Sequence, residues 1–343
     1  MTDLTERLWY GKRPLLWPLW PLSWLYQTVA SWRRNRLTSS AEPLPVPVVV
    51  VGNITVGGTG KSPLTAWLAS HFREQGWRPV ILSRGYGGKH TGDVPLLVGP
   101  DTNPAEAGDE PVMLAAQTAC PVVVHPQRLA SARMALDQGL GNLLLCDDGL
   151  QHYALARDVE ISVFDGARGV GNGASLPVGP LREPVGRLQD VDLVVVNGVP
   201  GKRVPGHPRR YAMMLHPAGV RHLLTGVTKA AGPWLKGQSC VALAGIGNPG
   251  RFFDQLRDLG AEVEGRAFPD HHRYTEQDIA TGDERPVLMT AKDAVKIQHF
   301  ANERCWVLDV TAQLPAGFGT AVDRVLDRKL AARGLDASLL RET

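Results

Sequence analysis

Four consecutive valines, Val48 to Val51, run directly into Gly52-Asn53-Ile54-Thr55-Val56-Gly57-Gly58-Thr59-Gly60-Lys61-Ser62, and a helical stretch from Pro63 to about Glu74 follows. No other feature of the chain restricts its fold as much. A strand apolar on both faces must be covered on both sides, as in a parallel α/β sheet. A glycine-rich turn that ends in Gly-Lys-Ser at a helix start is built to hold phosphate. Glycines let successive backbone N–H groups curl around an anion, and the helix N-terminus faces it. The general pattern is G-x-x-x-x-G-K-[ST]. Here Thr55 takes the first glycine position, so the pattern fails by one residue while the physics is retained. Thr55, Val56, Gly57, Gly58, Thr59, Gly60, Lys61 and Ser62 are therefore the expected nucleotide-binding loop. Lys61 is expected to reach the β and γ oxygens and Ser62 to ligate Mg²⁺.

The rest of the body supports this class. Apolar runs at 47–52, 79–83, 121–125, 142–147, 159–164 and 191–196 read as buried strands, separated by helical stretches. The run Leu143-Leu144-Leu145-Cys146 ends in Asp147-Asp148-Gly149, the form expected of a Walker-B strand whose acid sits beside the loop and binds Mg²⁺. Residues 197–225 are rich in Gly, Pro, Arg and His and contain no long apolar run, which suggests a domain junction. A second alternation follows, with strands at 240–244, 261–267, 286–290 and 305–310, a helix at 250–259 and a last helix near 320–333. The expected architecture is a P-loop NTPase-like parallel sheet core over 41–215, then a smaller α/β domain over 216–343.

Residues 1–40 form a separate unit. The net charge of +3 comes from 37 basic and 34 acidic residues. Six basic and only two acidic residues lie in the first 40, so the arm carries the excess and the body is close to neutral. A neutral body argues against a nucleic-acid binder. Five of the nine tryptophans are also in the arm: Trp9, Trp17, Trp20, Trp24 and Trp32. A spanning helix needs about 20 apolar residues, and Pro14, Pro18 and Pro21 interrupt this stretch. From Leu22 onward, Leu22, Leu25, Val29 and Trp32 recur at helical spacing, with Ser23, Gln27, Ser31 and Arg34 on the other side. An interfacial membrane helix fits best. The alternatives are an arm packed on the protein's own body, a spanning helix or a cleaved signal. Cys120, Cys146, Cys240 and Cys305 are far apart, which fits a reducing compartment rather than a disulfide framework.

Two motifs compete with the kinase reading. Gly245-Ile246-Gly247-Asn248-Pro249-Gly250, with Glu264 nineteen residues after Gly245, satisfies the dinucleotide fingerprint, but Pro249 lacks a donor N–H. Thr290-Ala291-Lys292-Asp293 looks like a guanine-reading N-K-x-D with its lysine displaced by one position. They imply, respectively, a nicotinamide oxidoreductase and a nucleotide-hydrolysing switch. A scaffold that binds nucleotide without turnover is a third alternative.

Taken in order, several segments resemble the tetraacyldisaccharide 4′-kinase family, which phosphorylates a lipid A precursor in Gram-negative bacteria. They are Val51-Gly52-Asn53 with Val56 to Ser62, Ser83-Arg84-Gly85-Tyr86-Gly87, Gly108-Asp109-Glu110-Pro111 and Asp147-Asp148-Gly149-Leu150-Gln151-His152. Gly245 to Pro249, Asp270-His271-His272 and Thr290 to Lys296 complete the set. The resemblance implies ATP and Mg²⁺ as cofactors. It implies a lipid disaccharide 1-phosphate as acceptor, and an enzyme associated with the cytoplasmic face of the bacterial inner membrane, working in a cleft between two α/β domains. It also implies that Asp109, paired with His271, is the base for the acceptor hydroxyl, with Lys61 as the third catalytic residue. Ser62 and Asp147 are expected to hold the metal, directly or through water, with Asp148 and Glu110 as outer or alternate ligands. Arg84 and Arg128 are candidates for gripping a phosphate, and ordinary surface arginines are the alternative.

Overall fold

The protein is described by a computed structural model covering residues 8–11, 17–90, 92–201 and 203–342. Arg7, Lys12, Arg13 and Pro14 of the arm lie outside the described residues. The apolar runs form strands β1 (Val48–Gly52), β2 (Pro79–Ser83), β4 (Val122–Val124), β5 (Leu143–Cys146), β6 (Val159–Asp165) and β7 (Leu193–Asn197), with a short β3 (Leu96–Val98) on the edge. β1, β2, β5 and β7 are buried along their whole length, because helices cover both faces. They lie in the order β3-β4-β2-β5-β1-β6-β7, all parallel except β3. Val50 lies opposite Cys146 on one side of β1, and Val51 lies opposite Ile161 on the other. This is the expected P-loop NTPase-like α/β fold. The phosphate loop leaves the carboxyl end of β1, and the acidic turn leaves the carboxyl end of its neighbour β5.

The segment read as a junction holds the longest strand, β8 (Arg210–His222). Its first residues pair parallel with β7, and its remainder pairs antiparallel with β13 (Cys305–Gln313). The sheet thus continues without a break through β8 into β13, β12 (Val287–Thr290), β10 (Ser239–Ala244) and β11 (Glu262–Ala267), which are mutually parallel; a short β9 (Thr228–Lys229) flanks β8. Exposed and half-buried residues recur along β8, and Arg210, His216, Pro217 and Arg221 break up its apolar residues, so no long apolar run marks it.

The chain then returns to its first half. In the last long helix, Gly317–Ala332, Phe318, Val322, Val325, Leu326 and Leu330 pack in one core with Leu64, Leu68 and Phe72 of helix Lys61–Glu74 and with β1, β5, β6 and β7. Burying each such side chain contributes about 1.5–3 kcal/mol. A hydrogen bond between His71 Nε2 and Asp323 at 2.9 Å and an ion pair between Arg333 and Asp158 at 2.7 Å fix the contact. All four cysteines are free and buried.

The arm forms a helix over Trp20–Ser39. Its polar side faces the protein. Ser23 is fully buried and donates to the Ser175 carbonyl at 3.0 Å, Gln27 donates to Ser175 Oγ at 2.8 Å, and Arg34 pairs with Asp190. Its apolar side faces outward: Trp24 is 67% exposed, Leu25 61% and Trp32 60%, with Trp20, Leu22 and Val29 beside them. This is opposite to an apolar arm folded onto its own body. Among the described residues, no helix is long and apolar enough to cross a membrane.

Candidate active site

The phosphate loop requires glycine at two points. Gly57 and Gly60 have φ of 108° and 95°, where a side chain is strained, and a Cβ on Gly60 would lie 2.5 Å from Asn197 Nδ2. The loop is braced from outside. The Val56 N–H donates to the Pro180 carbonyl at 2.8 Å, and Asn197 Nδ2 donates to the Thr59 carbonyl at 3.2 Å. The Thr59 hydroxyl is buried and has no hydrogen-bond partner. At the start of the following helix, the first N–H groups have no intrahelical acceptor. A buried free hydroxyl, unpaired amides and a lysine are the donor set a polyphosphate needs.

Asp147 lies at the foot of this loop. It accepts from Thr65 Oγ1 at 2.9 Å and from Ser62 Oγ at 3.3 Å. Burial, reinforced by the Glu110 and Asp148 charges and only partly offset by Lys61, pushes its pKa up to about 6. A buried carboxylate in this state, beside a serine hydroxyl, suits a hard divalent cation. Mg²⁺ is commonly held by one or two carboxylates together with substrate phosphates. The preformed set is limited to this, and among the described residues no three His, Cys, Asp or Glu side chains cluster as a metal cage. Asp148 has a left-handed backbone, φ 50°, and its carboxylate lies 3.5 Å from Lys61 and 3.4 Å from Arg182. Burial would raise its pKa, but the Lys61 and Arg182 charges outweigh burial and hold it below the usual range. Glu110 lies 3.4 Å from Lys292.

Asp109 opens helix Asp109–Thr118, immediately after Gly108 at φ 93°. A Cβ on Gly108 would lie 2.7 Å from the Tyr86 carbonyl, so the Ser83–Gly87 turn and the 108–111 segment interlock only with glycine there. Asp109 is 7% exposed. His271, 162 positions away, places Nδ1 3.0 Å from its Oδ2. His271 also has a left-handed backbone, φ 60°, and its ring centroid lies 5.0 Å from that of Tyr86. Lys296 approaches the same Oδ2 at 3.8 Å and Asp293 at 2.9 Å.

The competing motifs serve other purposes. Asp293 is fully buried. It accepts from Thr290 Oγ1 at 2.7 Å, from Tyr274 OH at 3.1 Å and from the Gly245 N–H at 3.3 Å, so it is committed to holding its own turn together. Glu264 pairs with Arg285 at 2.7 Å and Arg266 at 3.1 Å on β11. Arg84 is exposed. Arg128 is 2% exposed, and it donates to the carbonyls of His125 at 2.9 Å and Asp147 at 3.4 Å. Sequence reasoning did not single out Thr65, Arg182 or the two lysines, Lys292 and Lys296, as site residues. Thr65 alone had a positional signal, three residues after Ser62 on the same helical face.

The profile of the family described as Tetraacyldisaccharide-1-P 4′-kinase matches residues 15–327. The chain belongs to that family. The tetraacyldisaccharide 4′-kinase of Dechloromonas aromatica is 47% identical over 332 residues, covering 95% of this chain and 98% of that protein. The one from Nitrosococcus oceani is 44% identical over 330 residues, covering 95% of each. Among solved structures, LpxK from Aquifex aeolicus, described as an "apo" form in complex with ATP, superposes with a TM-score of 0.77 at 28% identity, over 90% of this chain and 98% of that one. The 4′-kinase profile runs from the arm into the last long helix, and so covers every site residue described above.

Proposed function

We propose that this chain transfers the γ-phosphoryl group of ATP to the 4′-hydroxyl of a tetraacylated glucosamine disaccharide 1-phosphate in lipid A biosynthesis. Membership of the 4′-kinase family supports the reaction. The observation that supports the assignment of roles is the Asp109–His271 pair, which joins the two halves of the chain at 3.0 Å.

Phosphoryl transfer is mainly positioning and charge neutralisation. Lys61, Thr59 and the loop amides hold the β and γ phosphates. Ser62 and Asp147 would hold Mg²⁺, with Asp148 and Glu110 in its surroundings, and the ion when bound spreads the developing phosphate charge. Among the described residues, His271 Nδ1 and Lys296 Nζ both approach Oδ2 of the Asp109 carboxylate, so Oδ1 is the atom assigned to accept the hydrogen bond of the acceptor hydroxyl. As the hydroxyl oxygen bonds to the γ-phosphorus, its proton passes to Asp109. The bond between the γ-phosphorus and the bridging oxygen breaks, and ADP departs. His271 Nδ1–H orients the carboxylate and steadies it while it is charged.

The outward apolar face of the Trp20–Ser39 helix supports a peripheral position on the cytoplasmic face of the inner membrane, where a lipid acceptor would lie, and the reading calls on no nucleic acid. Tryptophan at the headgroup level with Arg33 and Arg36 nearby is the composition of such an anchor. The test is ATP-dependent phosphorylation of the disaccharide lipid by the full chain and by Lys61→Ala. Turnover in the wild type that falls at least a hundredfold in the variant is expected. Near-normal turnover in Lys61→Ala would rule out the phosphate-loop assignment.

A further inference from the structure

The turn Gly245–Gly250 leads directly into Arg251, whose side chain reaches a residue that braces the phosphate loop. Asn248 caps helix Pro249–Asp258 by accepting the Arg251 N–H at 3.3 Å, which fixes Arg251 in the first turn. From there its guanidinium crosses to the first half of the chain. One nitrogen, Nη2, donates to Asn197 Oδ1 at 3.5 Å, and the other, Nη1, lies 3.7 Å from Asp165 Oδ2. These acceptors stand at the carboxyl ends of β7 and β6, on the side of β1 away from the Asp147 turn. Asn197 is 4% exposed, and its amide is used at both ends: Oδ1 faces Arg251 while Nδ2 donates to the Thr59 carbonyl at 3.2 Å. Gly198, φ 89°, has no side chain, and the nearest neighbour of a Cβ built there is Arg251 Nη2 at 3.8 Å.

We infer that Arg251 is a positioning residue for the kinase reaction. Through Asn197 it ties the second half of the chain to the Thr59–Gly60 segment of the phosphate loop, so that nucleotide in the loop and apposition of the two halves favour each other. A planar guanidinium with fixed forked donors can bridge an amide and a carboxylate on adjacent strands, and a flexible ammonium does so less well. The coupling is reciprocal: what steadies the loop for ATP is steadied in turn by bound ATP. The inference rests on the ATP-dependent kinase reading.

The experiment compares wild type, Arg251→Ala, Arg251→Lys and Arg251→Ala/Asp165→Ala, each as the full chain. Steady-state kinetics are measured with MgATP and the disaccharide lipid, and thermal unfolding with and without MgATP. Arg251→Ala should raise the KM for ATP roughly tenfold, within the usual range of coupling between sites. The KM for the lipid should be unchanged, and the rise in Tm produced by MgATP should shrink. Arg251→Lys should recover part of both effects, and the double variant should be no worse than Arg251→Ala. An unchanged KM for ATP overturns the inference. So does a drop in nucleotide-free Tm with the MgATP-induced rise intact, because that is the signature of a packing residue. If the wild type itself transfers no phosphoryl group, the kinase reading fails instead, and the MgATP-induced rise in Tm still reports on Arg251.

Discussion

Replacing Asp109 by asparagine separates the two functions assigned to its carboxylate. Asparagine keeps the size of the side chain, and its Oδ1 can still accept from His271 Nδ1 across the 3.0 Å contact. It cannot take up the proton of the acceptor hydroxyl. General-base catalysis contributes about 10²–10⁴-fold, so kcat should fall by that factor, which corresponds to about 2.7–5.5 kcal/mol of barrier. His271→Ala removes only the group that orients the base, and it should cost less, about tenfold to a hundredfold. Because both residues act through one carboxylate, their effects should not multiply, and Asp109→Asn/His271→Ala should be about as slow as Asp109→Asn alone. Single-turnover phosphorylation of the disaccharide lipid measures the chemical step, and calorimetric titration with MgATP checks that nucleotide binding is retained. Near-wild-type single-turnover rates in Asp109→Asn would refute the reasoning. A double variant slower by the full product of the two single effects would also refute it, since the residues would then be acting independently.

Three further outcomes are expected. Changing Trp24, Leu25, Val29 and Trp32 together to glutamine should abolish sedimentation with anionic vesicles and slow lipid turnover while leaving the MgATP-induced rise in Tm intact, because these side chains face outward. Phe318→Ala, at a fully buried position packed against Trp67 and Tyr211, should destabilise the protein by about 3–5 kcal/mol in denaturant unfolding, with losses in both halves of the sheet. Asp147 has a folded-state pKa of about 6 against an ordinary value of 3.8, so the stability associated with its protonated form is complete below about 4 and lost as pH rises through 6. In metal-free buffer, Asp147→Asn should therefore gain stability relative to wild type by about 2–3 kcal/mol between pH 4 and pH 7, and a pH-independent difference would contradict this.

The sheet of the first half was legible because its strands are buried on both faces and so appear as unbroken apolar runs. β8 was not, because it pairs in opposite senses at its two ends and leaves many of its residues exposed or half-buried. β3 is only three residues long on an edge, too short for any periodicity to register. At the site, the loop and the Asp147 turn follow directly from local spacing. The meeting of Asp109 with His271 does not, because nothing local connects positions 162 apart; family resemblance suggested that pair. Arg251 and Lys296 were hidden for the same reason. The helix that carries Arg251 is visible at 250–259, but the short helix Ala291–Ile297 that carries Lys296 is not, and neither are their targets on the other half of the chain. The helical spacing of the arm separates Leu22, Leu25, Val29 and Trp32 from Ser23, Gln27 and Arg34, and the structure turns the apolar set outward; Ser31, expected on the polar side, is exposed as well.

The return of helix Gly317–Ala332 onto helix Lys61–Glu74 has a consequence for synthesis. Domains made first on the ribosome ordinarily fold first. Here the apolar face formed by Leu64, Leu68 and Phe72 is completed by Phe318, Val322 and Leu326, residues translated more than 240 positions later. The nucleotide-binding half therefore cannot finish its core while the chain is still being made, and nascent chains released early keep that face open to chaperones and proteases. A kinase that acts on a membrane lipid thus gains its complete nucleotide-binding half only after the Gly317–Ala332 helix has been made.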